Sequence, residues 1–124
     1  MELRFPDPES LLMTLTPRHQ GVFAPVLTPF DAQGRPDLDR YIRHSQWLLD
    51  HEVGLAVFGT NSEANSLSVA EKRKLLEDLL AAGLPATRMM PGTGTCAVPE
   101  TIELTRHAVT AGCGGVLMLP PFYY

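Results

Sequence analysis

Four apolar runs recur at intervals of about 30 residues, starting near Val22, Val53, Arg88 and Gly115, and each of the first three is followed by a stretch with helical spacing. That interval matches one strand-plus-helix unit. Val22-Phe23-Ala24-Pro25-Val26-Leu27 is continuous rather than alternating, as expected of a strand buried on both faces of a parallel sheet. The order βαβαβαβ therefore predicts an α/β fold with four parallel strands and three crossover helices, either an open doubly wound sheet or a barrel.

The connecting signals support this division. Pro25 breaks the first run and marks it as an edge or a bulge, and Asp31-Ala32-Gln33-Gly34 is a turn signature. Asp37 is placed to cap a helix running to about Glu52, with Leu38, Tyr41, Ile42, Ser45, Leu48 and Leu49 on its buried face. Asp39 and Arg43 are spaced to pair on its solvent side. Val53 to Phe58 reads as the second strand. Ser68 and Glu71 form a capping box for a second helix, whose inward residues are Leu75, Leu76, Leu79 and Leu80 and whose end is marked by Gly83 and Pro85. Arg88 to Pro91 is the third strand. Pro99 opens a third helix with Ile102, Thr105, Ala108 and Val109 inward, Gly112 stops it, and Gly115 to Leu119 is the fourth strand. Residues 1–20, with Pro6, Pro8 and Pro17 around Leu11-Leu12-Met13, read as an amino-terminal extension; residues 21–124 are the domain proper.

Ten basic and fourteen acidic residues give 10 − 14 = −4, and no basic stripe suggests a nucleic-acid partner. Glu2, Arg4, Asp7 and Glu9 argue against a signal peptide, and no apolar run approaches the ~20 residues of a membrane span. Cys96 and Cys113 form no CxxC pair. A soluble, cytoplasmic protein with both thiols reduced is expected. His44 and His51 share a helix face without a third ligand at suitable spacing, so they read as surface histidines rather than a metal site.

The stretch from Ala56 to Ser68 carries the strongest hint of chemistry. A strand stops abruptly in Thr60, Asn61 and Ser62, which offers hydroxyls, an amide and backbone N–H groups at the carboxyl end of a parallel strand, where α/β proteins place their sites. A polar connector without a task is the plain alternative. Gly92-Thr93-Gly94-Thr95-Cys96-Ala97 fits a dinucleotide-binding fingerprint, but it follows the third strand and lacks the acidic residue ~20 positions on. No G-x-S-x-G elbow occurs. A complete (β/α)8 barrel takes roughly 250 residues, about twice this chain, and an isolated half would leave both edge strands unpaired.

Residues 21–124 resemble the amino-terminal half of the dihydrodipicolinate synthase / N-acetylneuraminate lyase family of class I aldolase-type TIM barrels. The resemblance rests on GVFAPVLTPFDAQGRPD, on VFGTNSEANSLSVAEK beside the family's G-[TS]-T-G-E, on MMPGTGTCAVPETIELTRHA beside its third strand with G-T-G, and on VLMLPPFYY beside its P-[YF]-Y. It implies a lyase or synthase acting on pyruvate or a related α-keto acid through a Schiff base to a lysine, with no cofactor, metal, nucleic acid or membrane partner, in a homo-oligomer (dimer or homotetramer). Thr60 matches the first hydroxyl residue of the family's carboxylate grip, which also passes protons. Asn61 stands where a second Thr is usual, and Ser62 stands where Gly is usual, a position where Ser would tolerate positive φ poorly. Glu63 matches the motif Glu, read as structural. Tyr123 matches the tyrosine that enters a neighbouring subunit's site. The family's Schiff-base lysine lies on the sixth strand and its second relay tyrosine on the fifth, both beyond Tyr124. Lys72 and Lys74 fall on the second helix, whose polar face is expected to look away from the barrel mouth, so the chain alone should have no aldolase activity. A non-catalytic half-barrel module for interaction or oligomerisation, and a dinucleotide-binding domain, are the competing readings.

Overall fold

A computed structural model describes residues 19–122. Most of the expected extension (residues 1–18) lies outside that range, as do Tyr123 and Tyr124. In chain order the elements are strand β1 (Phe23–Pro25), helix α1 (Leu38–Asp50), strand β2 (Gly54–Ala56), helix α2 (Val69–Ala81) and helix α3 (Val98–Thr110), with short 3-10 turns at Thr60–Ser62, Ala64–Ser66 and Ala86–Arg88.

β1 and β2 pair in parallel, with Phe23 opposite Gly54, Ala24 opposite Leu55 and Pro25 opposite Ala56. The next two segments follow in order but do not extend into strands. Met90 and Gly92 donate their N–H groups to the Leu55 and Val57 carbonyls at 2.9 and 2.7 Å. Leu117 donates to Pro91 at 2.8 Å, and Thr93 donates to Leu117 at 2.9 Å. They appear as single parallel bridges, Leu55 with Met89 and Gly92 with Leu117. Two strands therefore form where four were expected. Pro91 lacks a donor in the middle of one segment, while Gly114-Gly115 and Pro120-Pro121 flank the other, so neither can sustain a ladder.

The first run meets one expectation and departs from another: β1 is an edge of the sheet among the described residues, as Pro25 suggested, but Val22 and Leu27 on either side of it are 67% and 59% exposed rather than buried. β2, in contrast, is buried throughout.

The helices form where local signals put them. The Asp37 carboxylate accepts from the Arg40 N–H at 3.0 Å, and it is Arg40, rather than an Asp39–Arg43 pair, that makes the ion pair, 3.3 Å from Asp37. Ser68 and Glu71 close both arms of the capping box, at 3.2 and 2.8 Å, a device whose loss typically costs about 1 kcal/mol. Tyr41, Ser45 and Leu48 of α1 and Leu75, Leu76 and Leu79 of α2 are buried against the sheet. His51 caps α1 and donates Nδ1–H to the Trp47 carbonyl at 2.7 Å.

Of the four residues expected inward on α3, only Ala108 is fully buried. Leu104 and Ala108, four apart, are its buried residues, whereas Val98, Ile102 and Val109 are 58%, 49% and 59% exposed. The periodic apolar stripe exists, but it lies more than 90° round the helix from the Leu104 and Ala108 line, given about 100° per residue. Surface pairs tie α3 to α2: Arg73 with Glu103 at 2.8 Å and His107 with Glu77 at 3.0 Å. Among the described residues, no helix is long and apolar enough to cross a membrane.

Candidate functional site

The carboxyl ends of β2 and of the two segments that follow it converge on a cavity of about 350 Å³, lined among others by Phe58, Thr60, Glu63, Gly92, Leu117 and Phe122. β2 reaches it through an unusual backbone. Phe58 is buried yet sits at φ 58°, and Glu63 is at φ 56°. Left-handed conformations of this kind are rare for bulky side chains and cost of order 1–3 kcal/mol unless the surroundings enforce them. Phe58 precedes the first tight turn, and Glu63 joins that turn to the second. Ser62 lies inside the first turn rather than in the left-handed region, so the strain expected there falls on Glu63 and Phe58 instead.

The turn sorts its residues. Thr60 is exposed and lines the cavity; Asn61 is exposed but is not part of the cavity wall. The Ser62, Glu63 and Ala64 amides are engaged by the Gly59 and Thr60 carbonyls at 3.0–3.2 Å. The Thr60 and Asn61 amides precede the first of those bonds, as the leading N–H groups of any helical turn do. Ser62 is fully buried: its hydroxyl donates to the Val26 carbonyl, and its own carbonyl accepts from the Thr28 hydroxyl at 2.8 Å. Sequence reasoning missed this exchange between residues 34 and 36 apart, since no local pattern signals it.

The Gly-Thr-Gly segment has a packing explanation. A Cβ at Gly92 would fall 2.0 Å from the Phe58 carbonyl oxygen, and one at Gly94 would fall 2.7 Å from that of Leu119. Both obstacles are backbone, so the third segment passes between its neighbours only because it carries no side chain at those points. Thr93, buried between them, accepts from the Thr105 hydroxyl at 3.0 Å, which links the segment to α3.

Lys72 corrects another expectation. It is only 5% exposed and lines a second hollow with Glu100, Thr95 and Cys96, adjoining the first at Ala64, Asn65, Gly94 and Phe122. Burial lowers its amine below the usual lysine value, and the Glu100 carboxylate partly opposes this. Lys74 stays on the solvent face and pairs with Asp78. Cys96 is exposed, whereas Cys113 is buried and its thiol is pushed up to about 11. Among the described residues, no three His, Cys, Asp or Glu side chains gather as a metal group would require. Tyr123 lies outside them.

Parallel β-α units with their loops gathered over one cavity define a partial α/β barrel. The chain belongs to the Dihydrodipicolinate synthetase family, whose model matches residues 18–124. It is 38% identical over 99 residues to the 4-hydroxy-tetrahydrodipicolinate synthase of Synechococcus sp. (strain WH7803), covering 79% of this chain and 33% of that one. Its fold superposes on the dihydrodipicolinate synthase of Agrobacterium tumefaciens str. C58 with a TM-score of 0.81 and 28% identity, over 84% of this chain and 37% of that one. YagE, a prophage protein of the dihydrodipicolinic acid synthase family from E. coli K12 solved in complex with pyruvate, gives a TM-score of 0.71 and 30% identity, over 84% and 35%. The chain spans about a third of the length of the relatives it matches.

Proposed function

We propose that this chain forms the amino-terminal half-barrel, residues 21–124 with an extension at 1–20, of a carbon–carbon lyase or synthase acting on pyruvate or a related α-keto acid. The observation that carries the reading is the turn at Thr60–Ser62, which brings Thr60 to the cavity at the end of β2 in a chain of this family. Thr60 and Asn61 bind the keto-acid carboxylate, both through amides that stand ahead of the turn's own bonds and Thr60 also through its side chain, which faces the cavity. Hydrogen bonds to a charged group contribute about 1.5–3 kcal/mol each, enough to orient a small anion. A carboxylate held there leaves the keto carbon free to meet an amine, and an iminium at that carbon draws electrons from the neighbouring carbon–carbon bond. Thr60 passes the protons of this exchange, with Tyr123 reaching the site of a neighbouring subunit in a cytoplasmic homodimer or tetramer. The amine is supplied by residues beyond these 124, so the isolated chain is inactive.

Borohydride trapping with pyruvate tests this. The expected result is a covalent adduct on a protein carrying the remaining barrel strands and none on the 124-residue chain. Absence of an adduct on the longer protein would remove the catalytic reading. An adduct on the 124-residue chain at Lys72, the one desolvated amine among the described residues, would overturn the assignment of the lysine elsewhere. A second reading, a non-catalytic module that associates through its open edges, is favoured by the exposure of Val22, Leu27, Met118 and Leu119.

A further inference from the structure

We infer that Ser62 is a positioning residue: its side chain, rather than the sheet, fixes the turn that presents Thr60 and Asn61. The inference begins with the ladder between the first two strands. Gly54 donates to the Val22 carbonyl at 2.8 Å, and Val26 donates to the Ala56 carbonyl at 3.1 Å. In a parallel pair these bonds advance by two residues, so the next should run from the Phe58 N–H to the Val26 carbonyl. It is not made. The chain leaves the sheet at Phe58, which takes φ 58°, and the buried Val26 carbonyl accepts instead from Ser62 Oγ.

The replacement is reciprocal. Thr28, just beyond that carbonyl, donates its hydroxyl to the Ser62 carbonyl at 2.8 Å. Two side-chain bonds therefore clamp the turn to the end of the first strand from both directions. Ser62 and Val26 are fully buried and Thr28 is 7% exposed, so water has little access to stand in for either bond. A glycine at position 62 could adopt the turn, but it would leave the Val26 carbonyl without its donor and a gap where the hydroxyl sits. Because Thr60 and Asn61 immediately precede Ser62 in a three-residue turn, loosening that anchor changes where their amides and side chains point.

This inference rests on the carboxylate reading of Thr60 and Asn61, and the experiment separates the two. Amide hydrogen exchange and pyruvate titration are followed by NMR on the isotopically labelled 124-residue chain, comparing wild type with Ser62→Ala and with Thr28→Val. In Ser62→Ala, exchange at Glu63 and Ala64 should rise about tenfold relative to wild type, with no matching rise at Leu75 to Leu79. Thr28→Val should raise exchange at the same amides by less, and it carries the test if Ser62→Ala fails to fold. Pyruvate should shift the Thr60 and Asn61 amide resonances in wild type, with the apparent affinity about tenfold weaker in Ser62→Ala. Unchanged exchange at Glu63 and Ala64, an equal rise in α2, or an unchanged pyruvate affinity despite faster exchange would overturn the positioning role. No pyruvate-dependent shift in wild type would instead overturn the carboxylate reading, while the exchange comparison would still decide whether Ser62 anchors the turn.

Discussion

The stretch that continues β2 (Phe58 to Thr60) and the segment carrying Leu117 and Leu119 border the same cavity, but the supports behind them are built differently. β2 is buried along its length and hydrogen-bonded on both sides, to β1 and to the third segment. Of Leu117, Met118 and Leu119, Leu117 alone is hydrogen-bonded, on one side, to the third segment, and the three are 41%, 58% and 50% exposed. One wall of the cavity is thus a finished piece of barrel and the other is an open edge. The difference is one of support: the turn after β2 has a rigid base, whereas the far wall would gain its rigidity from whatever covers it.

The comparison breaks most visibly in the core. Leu55→Ala in β2 should cost about 2–5 kcal/mol, against within about 0.5 kcal/mol for Leu119→Ala; urea denaturation of the two variants measures both. Equal costs would mean that the two walls are equally packed. Gly92→Ala probes the seam between them. Its added Cβ meets the Phe58 carbonyl, so a loss of about 1–3 kcal/mol is expected in the same assay. A neutral result would show that the seam is looser than described.

These contrasts separate what could be read in the sequence from what could not. The Asp37 cap, the Ser68–Glu71 box and Pro99 at the start of α3 were legible because each acts within one helical turn. The inward faces of α1 and α2 were legible because the sheet covers the stripe that the periodicity marks. On α3 the same periodicity picked out Ile102, Thr105, Ala108 and Val109, of which Ala108 is buried while Ile102 and Val109 are uncovered, because spacing shows that a face is apolar and not what lies against it. The third and fourth strands were apolar enough to expect, but Pro91 and the flanking glycines and prolines limit them to single bridges. Thr60 at the cavity was legible from a strand ending in a polar turn. The Ser62 anchor, the left-handed Phe58 and the burial of Lys72 depend on residues distant in sequence and were not.

Lys72 sharpens the comparison through pH. Burial lowers its amine in the folded chain, so between that lowered value and the ordinary 10.5 the unfolded chain binds more protons than the folded one. Stability from this group therefore rises with pH through that window and is lowest below it. Chemical denaturation from neutral pH towards pH 10 should show wild type gaining stability relative to Lys72→Met; parallel curves would place Lys72 in solvent. The smallest effect concerns the thiols. At pH 8 an alkylating reagent should modify exposed Cys96 and spare buried Cys113 until the protein unfolds, as peptide mass mapping would show; rapid labelling of Cys113 would contradict its place in the core.

The claim that Thr60 receives the keto acid is tested most directly by borohydride trapping of pyruvate on the longer protein, wild type against Thr60→Val. With the two equally stable, trapping should fall at least about tenfold in the variant, as expected for losing a hydrogen bond to a charged group. Trapping at the wild-type rate would contradict the role assigned to Thr60.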